Sequence, residues 1–159
     1  LDVGPNLCQY FEDRLTIQYQ DQEMLRIERN FEADGIQEEL DAYNPLIPDG
    51  SNLKCTAMLD FGDVAVRKER LAQLVCIEHF VWLQVEVFDK VYTIANEDLE
   101  RSNDEKTSAV HFMRFELSDG MKEALGSGAG LMFGTDHAGY PYTAEVPAET
   151  REALLQDLA

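Results

Sequence analysis

The sequence predicts a single α+β domain over residues 1–159, with a mainly antiparallel sheet and helices packed on one face or end of it. Three observations predict this class. The 159 residues suit one domain of ordinary size. Hydrophobic residues make up 45% of the chain, which is enough for a buried core without disulfides or a metal. Segments with strand and helix periodicity are interspersed, and most neighbouring strands are joined by short turns.

The first third of the chain predicts a short strand followed by two helices. Leu7–Phe11 has the pattern of the strand. Leu15–Phe31 contains no Gly or Pro, and its apolar residues recur at helical spacing, so we expect a helix that starts near Arg14. A second helix should begin at Asp34, which forms a capping-box pattern with Gln37. Its apolar stripe consists of Ile36, Leu40 and Tyr43, and Asn44-Pro45 should end it.

The middle of the chain predicts a strand, a helix and a hairpin. Leu53–Phe61 alternates apolar and polar residues and is the clearest strand. Asp63 can cap the helix that follows. His79–Val87 alternates again, and Val91–Ala95 is expected to return as its hairpin partner.

The last third begins with a charged loop, Asn96–Lys106. The strand Thr107–Leu117 is largely apolar on both faces, which indicates a central position in the sheet. Ser118 can then cap a short helix, and a hairpin turn follows in which Gly139 is free to take a positive φ. The hairpin strands are Ala129–Thr135 and Tyr140–Val146, and the last helix is Ala148–Leu158.

Charge excludes several kinds of partner. The chain has 13 Lys and Arg against 31 Asp and Glu, a net charge of -18. Binding to nucleic acid or to anionic lipid needs clustered cations, so neither is expected for this domain. No stretch approaches the roughly 20 apolar residues of a membrane span. Because the sequence begins at Leu1, we expect that an upstream segment is missing and that the -18 describes this stretch alone.

The three cysteines predict a cytoplasmic protein. Cys8, Cys55 and Cys76 are far apart and form no CxxC pair, which indicates buried thiols in a reducing compartment and no disulfide framework. Cys55 and Cys76 lie on or near apolar elements, so we do not expect a thiol nucleophile. No motif with metal-ligand spacing is present, and no cofactor or metal is predicted.

Two charged stretches are candidates for ligand binding. On the first helix Glu23 and Arg26 are spaced for an ion pair, and an Arg fork there could hold a carboxylate or phosphate. The acidic loop around Glu97–Arg101 could bind a divalent cation through oxygen ligands, although Arg101 and Lys106 can neutralise it. For both stretches a solvated surface with local ion pairs is the alternative.

The histidines are candidates for acid–base chemistry, which requires a partner that fixes the tautomer. His137 has Asp136 beside it and Tyr140 three residues on. His111 shares the central strand with Arg114, on the opposite face. The alternatives are a turn side chain bonded to the backbone for His137, and a satisfied core or strand-end residue for His111 and His79.

Five stretches together carry a family resemblance. They are Gln20–Arg29 (QDQEMLRIER), Glu38–Pro48 (EELDAYNPLIP), Glu97–Arg101 (EDLER), Lys106–Leu117 (KTSAVHFMRFEL), and Asp136-His137 with Tyr140. In this order, and over nearly the whole chain, the sequence resembles the uncharacterised bacterial domain-of-unknown-function family 3501. The chain departs from the family pattern at Ala138-Gly139, where members tend to have a proline after the histidine.

The resemblance implies no assigned activity, cofactor or catalytic residue. It implies an association with rubrerythrin-like and iron–sulfur oxidoreductase genes, and a basic segment upstream of this region. An accessory role beside redox proteins is therefore the leading expectation, although gene association is not a mechanism.

Two hypotheses about function follow. The first is a binding module, a homodimer that docks on a redox protein partner and performs no chemistry. The second is a small-molecule enzyme or ligand-binding protein with an Arg/Glu/His cleft, of which a metal-dependent hydrolase using His137 is a weaker version. The catalytic candidates are Glu23, His111 and His137, and the ligand-binding candidates are Arg26, Tyr43, Asn44, Lys106, Arg114, Asp136 and Tyr140.

Overall fold

The computed structural model describes all residues, 1–159, and contains five α-helices and nine strands in two antiparallel sheets. The α+β prediction is confirmed, with two sheets where the sequence suggested one. In chain order the strands are β1 (Asp2–Val3), β2 (Leu7–Phe11), β3 (Asn52–Leu59), β4 (Val81–Val85), β5 (Val91–Tyr92), β6 (Ile94–Ala95), β7 (Val110–Glu116), β8 (Leu131–Thr135) and β9 (Thr143–Glu145). The first sheet has the order β1-β2-β3-β7-β6, and the second has the order β5-β4-β8-β9.

The helices lie between the strands in sequence. They are α1 (Arg14–Glu28), α2 (Ala33–Tyr43), α3 (Val64–Gln73), α4 (Asp119–Gly126) and α5 (Ala148–Leu155). Short 3-10 turns follow at Asn44–Leu46, Ile77–His79 and Gln156–Leu158. None of these helices has the length and apolar character needed to cross a membrane.

One hydrophobic core joins the two sheets. Phe115 on β7 and Phe133 on β8 are both fully buried, and their ring centroids lie 5.3 Å apart in an edge-on contact. Leu125 of α4 and Leu154 of α5 belong to the same buried cluster. Alternation along each strand explains this packing, because every second side chain points to the shared core.

The long strands have the pattern that the sequence predicts. On β3 the residues Leu53, Cys55 and Ala57 are buried, whereas Lys54 and Thr56 are only half-buried on the outer face. β7 lies between β3 and β6, so its central position is confirmed.

The α1–α2 hairpin is tied to the outer face of the first sheet. Asp13 and Thr16 form a reciprocal capping box at the start of α1. Glu12 accepts hydrogen bonds from the hydroxyl groups of both Thr16 and Thr56, and so links α1 to β3. α1 ends at Glu28 and not at Phe31 as predicted, because Arg29 takes a left-handed conformation with φ 52°.

Several boundaries differ from the sequence prediction. Asp34 does not cap α2, which begins one residue earlier, and Gln37 donates to Asp41 instead. His79 lies in a 3-10 turn before β4, and Val87 lies in the turn after it with φ 67°. Gly139 does not have a positive φ.

The segment Val91–Ala95 does not form one hairpin strand. Its first two residues pair with β4, as predicted, but Ile94 and Ala95 pair with β7 in the other sheet. The segment therefore crosses from one sheet to the other and delivers the following loop, Asn96–Lys106, to the end of the first sheet.

Candidate functional site

Three segments of the chain converge on one concave surface, the first of them more than 50 residues before the other two. They are the C-terminal end of α2 with its 3-10 turn, the loop Glu97–Arg101, and the middle of β7. Between them lies a cleft of about 570 Å³, which we call the arginine cleft. Its polar and aromatic lining includes Tyr43, Lys54, Glu97, Arg101, Phe112 and Arg114.

Arg114 is held rigidly in the wall of this cleft. Its Nε and Nη2 donate to the two carboxylate oxygens of Glu97 at 2.9 and 2.7 Å, and its Nη1 contacts Glu116. The bond to Glu97 raises the pKa of the Arg114 guanidinium, and the same bond lowers the pKa of Glu97. A bidentate pair of this kind fixes both side chains in a single geometry.

Lys54 is also engaged within the protein. It projects from the outer face of β3, and its Nζ donates to the carbonyl oxygens of Pro45 at 2.6 Å and Ile47 at 3.0 Å. This contact fastens the end of α2 to the sheet and keeps the ammonium in the cleft.

Arg101 differs from the other two cations because part of its donor capacity is unused. Its guanidinium lies over the ring of Phe112, 4.6 Å from the centroid, and its Nη2 donates to Asp98. The side chain is only 17% exposed, and its buried Nε has no hydrogen-bond partner. An unpaired buried donor costs free energy, so a ligand acceptor that reaches the Nε after a shift of the side chain that exposes it would be stabilised.

The cleft is locally neutral in a strongly acidic molecule. Three cations and three carboxylates line it, whereas the chain as a whole carries -18. An anionic group therefore meets less repulsion here than over the rest of the surface.

A second cavity of about 430 Å³ adjoins the first and shares Glu97, Asp98 and Arg101 with it. We call it the Glu78 cavity. Glu78 has a side chain only 3% exposed, and its Oε2 accepts from the Thr107 hydroxyl at 3.4 Å. Its Oε1 accepts no hydrogen bond. The basic group beside it is His79 Nε2, which at 3.9 Å is too far away for a hydrogen bond.

His111 lies behind this cavity in a fully bonded position. Asn96 Oδ1 accepts from the Phe112 amide at 3.1 Å, which orients Asn96 Nδ2 to donate to His111 Nδ1 at 2.9 Å. His111 Nε2 must then carry the proton, and it donates to the Ser108 carbonyl at 2.9 Å with Thr107 Oγ1 3.0 Å away. Burial lowers the pKa of this imidazole, which fits the neutral form.

Sequence reasoning missed Glu78 and did not rank Arg101 as a ligand-binding residue. A signal for Glu78 existed, because it is the one carboxylate in the apolar stretch Leu74–Val85. The prediction of buried thiols is wrong for Cys76, which is exposed with φ 63°, and for Cys8, which is partly exposed. Cys55 is buried, and burial raises the pKa of its thiol.

The other catalytic candidates do not join His111. Glu23 is paired with Arg26 on the surface of α1, with hydrogen bonds of 3.2 and 2.7 Å. His137 donates from Nε2 to the Val75 carbonyl at 3.1 Å and accepts the Gly139 amide at Nδ1. The three candidates therefore have three separate sets of partners.

The remaining ligand-binding candidates divide between the cleft and other places. Tyr43 and Arg114 line the arginine cleft, and Asn44 follows directly in the 3-10 turn. Lys106 lines a separate hollow that it shares with Arg101. Asp136 and Tyr140 lie elsewhere.

Asp136 and Tyr140 belong to internal hydrogen-bond networks. Asp136 accepts from the side chains of Trp82, Lys90 and Tyr92. Tyr140 is fully buried, and its hydroxyl donates to the Val3 carbonyl and accepts the amides of Asn6 and Leu7. No group of three or more His, Cys, Asp or Glu side chains is placed to hold a metal ion.

Comparison with known proteins identifies the family. Residues 1–158 match the model of a family described as protein of unknown function, DUF3501. The chain belongs to this family. A crystal structure described as a novel protein of unknown function from Burkholderia pseudomallei K96243 is similar, with a TM-score of 0.93 and 51% sequence identity. The match covers 100% of this chain and 83% of that chain, and no curated protein matches.

The DUF3501 resemblance rests largely on motifs that meet at the arginine cleft. EELDAYNPLIP supplies Tyr43, EDLER supplies Glu97 and Arg101, and KTSAVHFMRFEL supplies Phe112 and Arg114. Segments separated by more than fifty residues are thus brought to one surface.

Proposed function

We propose that this member of the DUF3501 family is a ligand-binding protein whose arginine cleft holds a small molecule through an oxyanion, a carboxylate or a phosphate. The observation that carries the proposal is the buried Nε of Arg101, which has no partner inside the protein. A planar guanidinium on an aromatic ring is suited to such recognition, because its donors are pre-oriented.

The neighbouring cations support the same proposal in another way. Arg114 and Lys54 are locked by carboxylate and carbonyl partners, so they fix the shape of the cleft wall. Arg101 supplies the free donor. Tyr43 and Phe112 add aromatic surface to the cleft.

A titration tests the proposal. Wild-type protein should bind malonate or phosphate measurably by calorimetry, and Arg101→Gln should weaken binding about tenfold, because a hydrogen bond to a charged group contributes roughly 1.5–3 kcal/mol. Arg26→Gln is the matched control, since Arg26 also pairs with a carboxylate three residues away but lies outside the cleft. Equal binding by wild type and Arg101→Gln, or no binding by wild type, would contradict the proposal.

If the protein were an enzyme, Glu78 and His111 would be the acid–base candidates. Both are buried, and the Thr107 hydroxyl lies within hydrogen-bond distance of each. A metal-dependent hydrolase based on His137 gains no support from its surroundings, because both ring nitrogens are in hydrogen bonds to the backbone.

A second candidate function is docking on a redox protein. It is favoured by apolar side chains on the solvent side of α1, where Leu15, Tyr19 and Ile27 are all exposed, and by exposed Phe31 just beyond the helix. Exposed apolar surface of this kind is typical of interaction sites. The class of partner comes from the family association alone, and a homodimer through the same face stays a prediction.

A further inference from the structure

We infer that the ligand is zwitterionic: its carboxylate lies on Arg101, and its ammonium enters the Glu78 cavity and binds the Glu78 carboxylate. This inference rests on the proposed function and names the ligand class. It joins the two cavities into one site, because Arg101 lines both of them.

Glu78 is a buried carboxylate with few partners inside the protein. Its side chain is almost fully buried, yet the protein gives its carboxylate one long hydrogen bond, 3.4 Å from the Thr107 hydroxyl. A buried carboxylate normally has several donors or a cation beside it. Its Oε1 accepts no hydrogen bond and has only His79 Nε2 beside it, 3.9 Å away, and Glu78 lines the cavity.

The other carboxylates around this cavity are paired with arginine or exposed to solvent. Glu97 is neutralised by Arg114, and Asp98 by Arg101. Glu100 and Asp104 are exposed to solvent. Glu78 therefore remains as the one buried carboxylate of this cavity, with His79 Nε2 3.9 Å from its Oε1, and a single carboxylate suits an ammonium better than Ca²⁺, which takes 6–8 oxygen ligands.

The two side chains with unused hydrogen-bonding atoms have opposite polarity. Arg101 Nε lacks an acceptor and Glu78 Oε1 lacks a donor, and both residues line one cavity of about 430 Å³. A small molecule with an anionic and a cationic end satisfies both at once. A ligand with only a carboxylate would give Arg101 an acceptor but would give Glu78 Oε1 no hydrogen-bond donor.

The test compares two probes that differ by one ammonium group, 4-aminobutyrate and butyrate. Wild-type protein should bind 4-aminobutyrate at least about tenfold more tightly by calorimetry. Glu78→Gln should abolish this preference while butyrate binding stays as in wild type. Glu105→Gln removes an exposed carboxylate from the same loop and should keep the preference, which separates Glu78 from the general acidic field.

The outcomes distinguish this inference from the proposal beneath it. If butyrate binds and 4-aminobutyrate binds no more tightly, the zwitterion inference is overturned and the oxyanion site stands. If Glu78→Gln keeps the full preference, the inference is also overturned. If 4-aminobutyrate, butyrate, malonate and phosphate all fail to bind to wild type, both are overturned. The comparison of probes on wild type requires no variant to fold.

Discussion

Hydrogen bonding divides the candidate side chains into those whose polar atoms are used inside the protein and those with an atom to spare. Tyr140 and His137 are of the first kind, because each polar atom has a backbone partner. Arg101 and Glu78 are of the second kind. Residue type alone does not reveal this difference, which depends on partners contributed by distant segments.

Acidification should destabilise the fold through His111. Its pKa is lowered by burial, with Glu78 opposing that shift and Arg101 and His79 adding to it. Between its folded pKa and the ordinary value near 6.5, the unfolded state binds more protons, so the stabilising contribution is present above about pH 6.5 and is lost as the pH falls. Protonation would also place a donor against the Asn96 amide nitrogen.

Urea unfolding at pH 7.5 and pH 5.5 measures this effect. The free energy of unfolding of the wild type should fall on acidification, and His111→Gln should reduce the change. His79→Gln is the control, because that imidazole is 64% exposed and should leave the change intact. A wild type equally stable at both pH values would show that His111 does not act in this way.

At the scale of elements, the sequence predicts the helices and strands that are specified by residues within or next to them. β3 follows its alternation, and the start of α1 follows the cap at Asp13. The sequence at the end of α1 contains no Gly or Pro that would predict the helix end. The left-handed position that glycine usually takes there is occupied by Arg29. The division of Val91–Ala95 between two sheets depends on where the other strands lie, which five residues cannot indicate.

The exposed face of α1 carries the docking candidate. Immobilised protein should capture a purified rubrerythrin-like or iron–sulfur oxidoreductase in a binding assay, and the double change Leu15→Ser with Tyr19→Ser should remove the capture, since burial of apolar side chains would drive it. Val64→Ser with Val66→Ser, on the exposed face of α3, is the matched control. If the α1 variant still captures the partner, the docking surface is not on α1. If the wild type captures no such protein, docking on a redox protein is contradicted.

At the scale of the whole molecule, the fold gathers cations that the sequence spreads thinly. The 13 Lys and Arg are outnumbered by 31 acidic residues, yet three of them line one neutral cleft. The sequence placed Tyr43 and Arg114 among the ligand-binding candidates, and both line this cleft. It could not predict the stacking of Arg101 on Phe112, because that contact depends on how the loop folds against β7.

The most direct test of the account is an NMR titration of the wild type with malonate. We predict that shift changes concentrate in the amides of Tyr43, Lys54, Phe112 and Arg114, and that the Nε–H resonance of Arg101 moves most, because that donor gains an acceptor on binding. The account is contradicted if excess malonate leaves the Arg101 Nε–H resonance unchanged, or if the changes centre on Arg26 and the surface of α1.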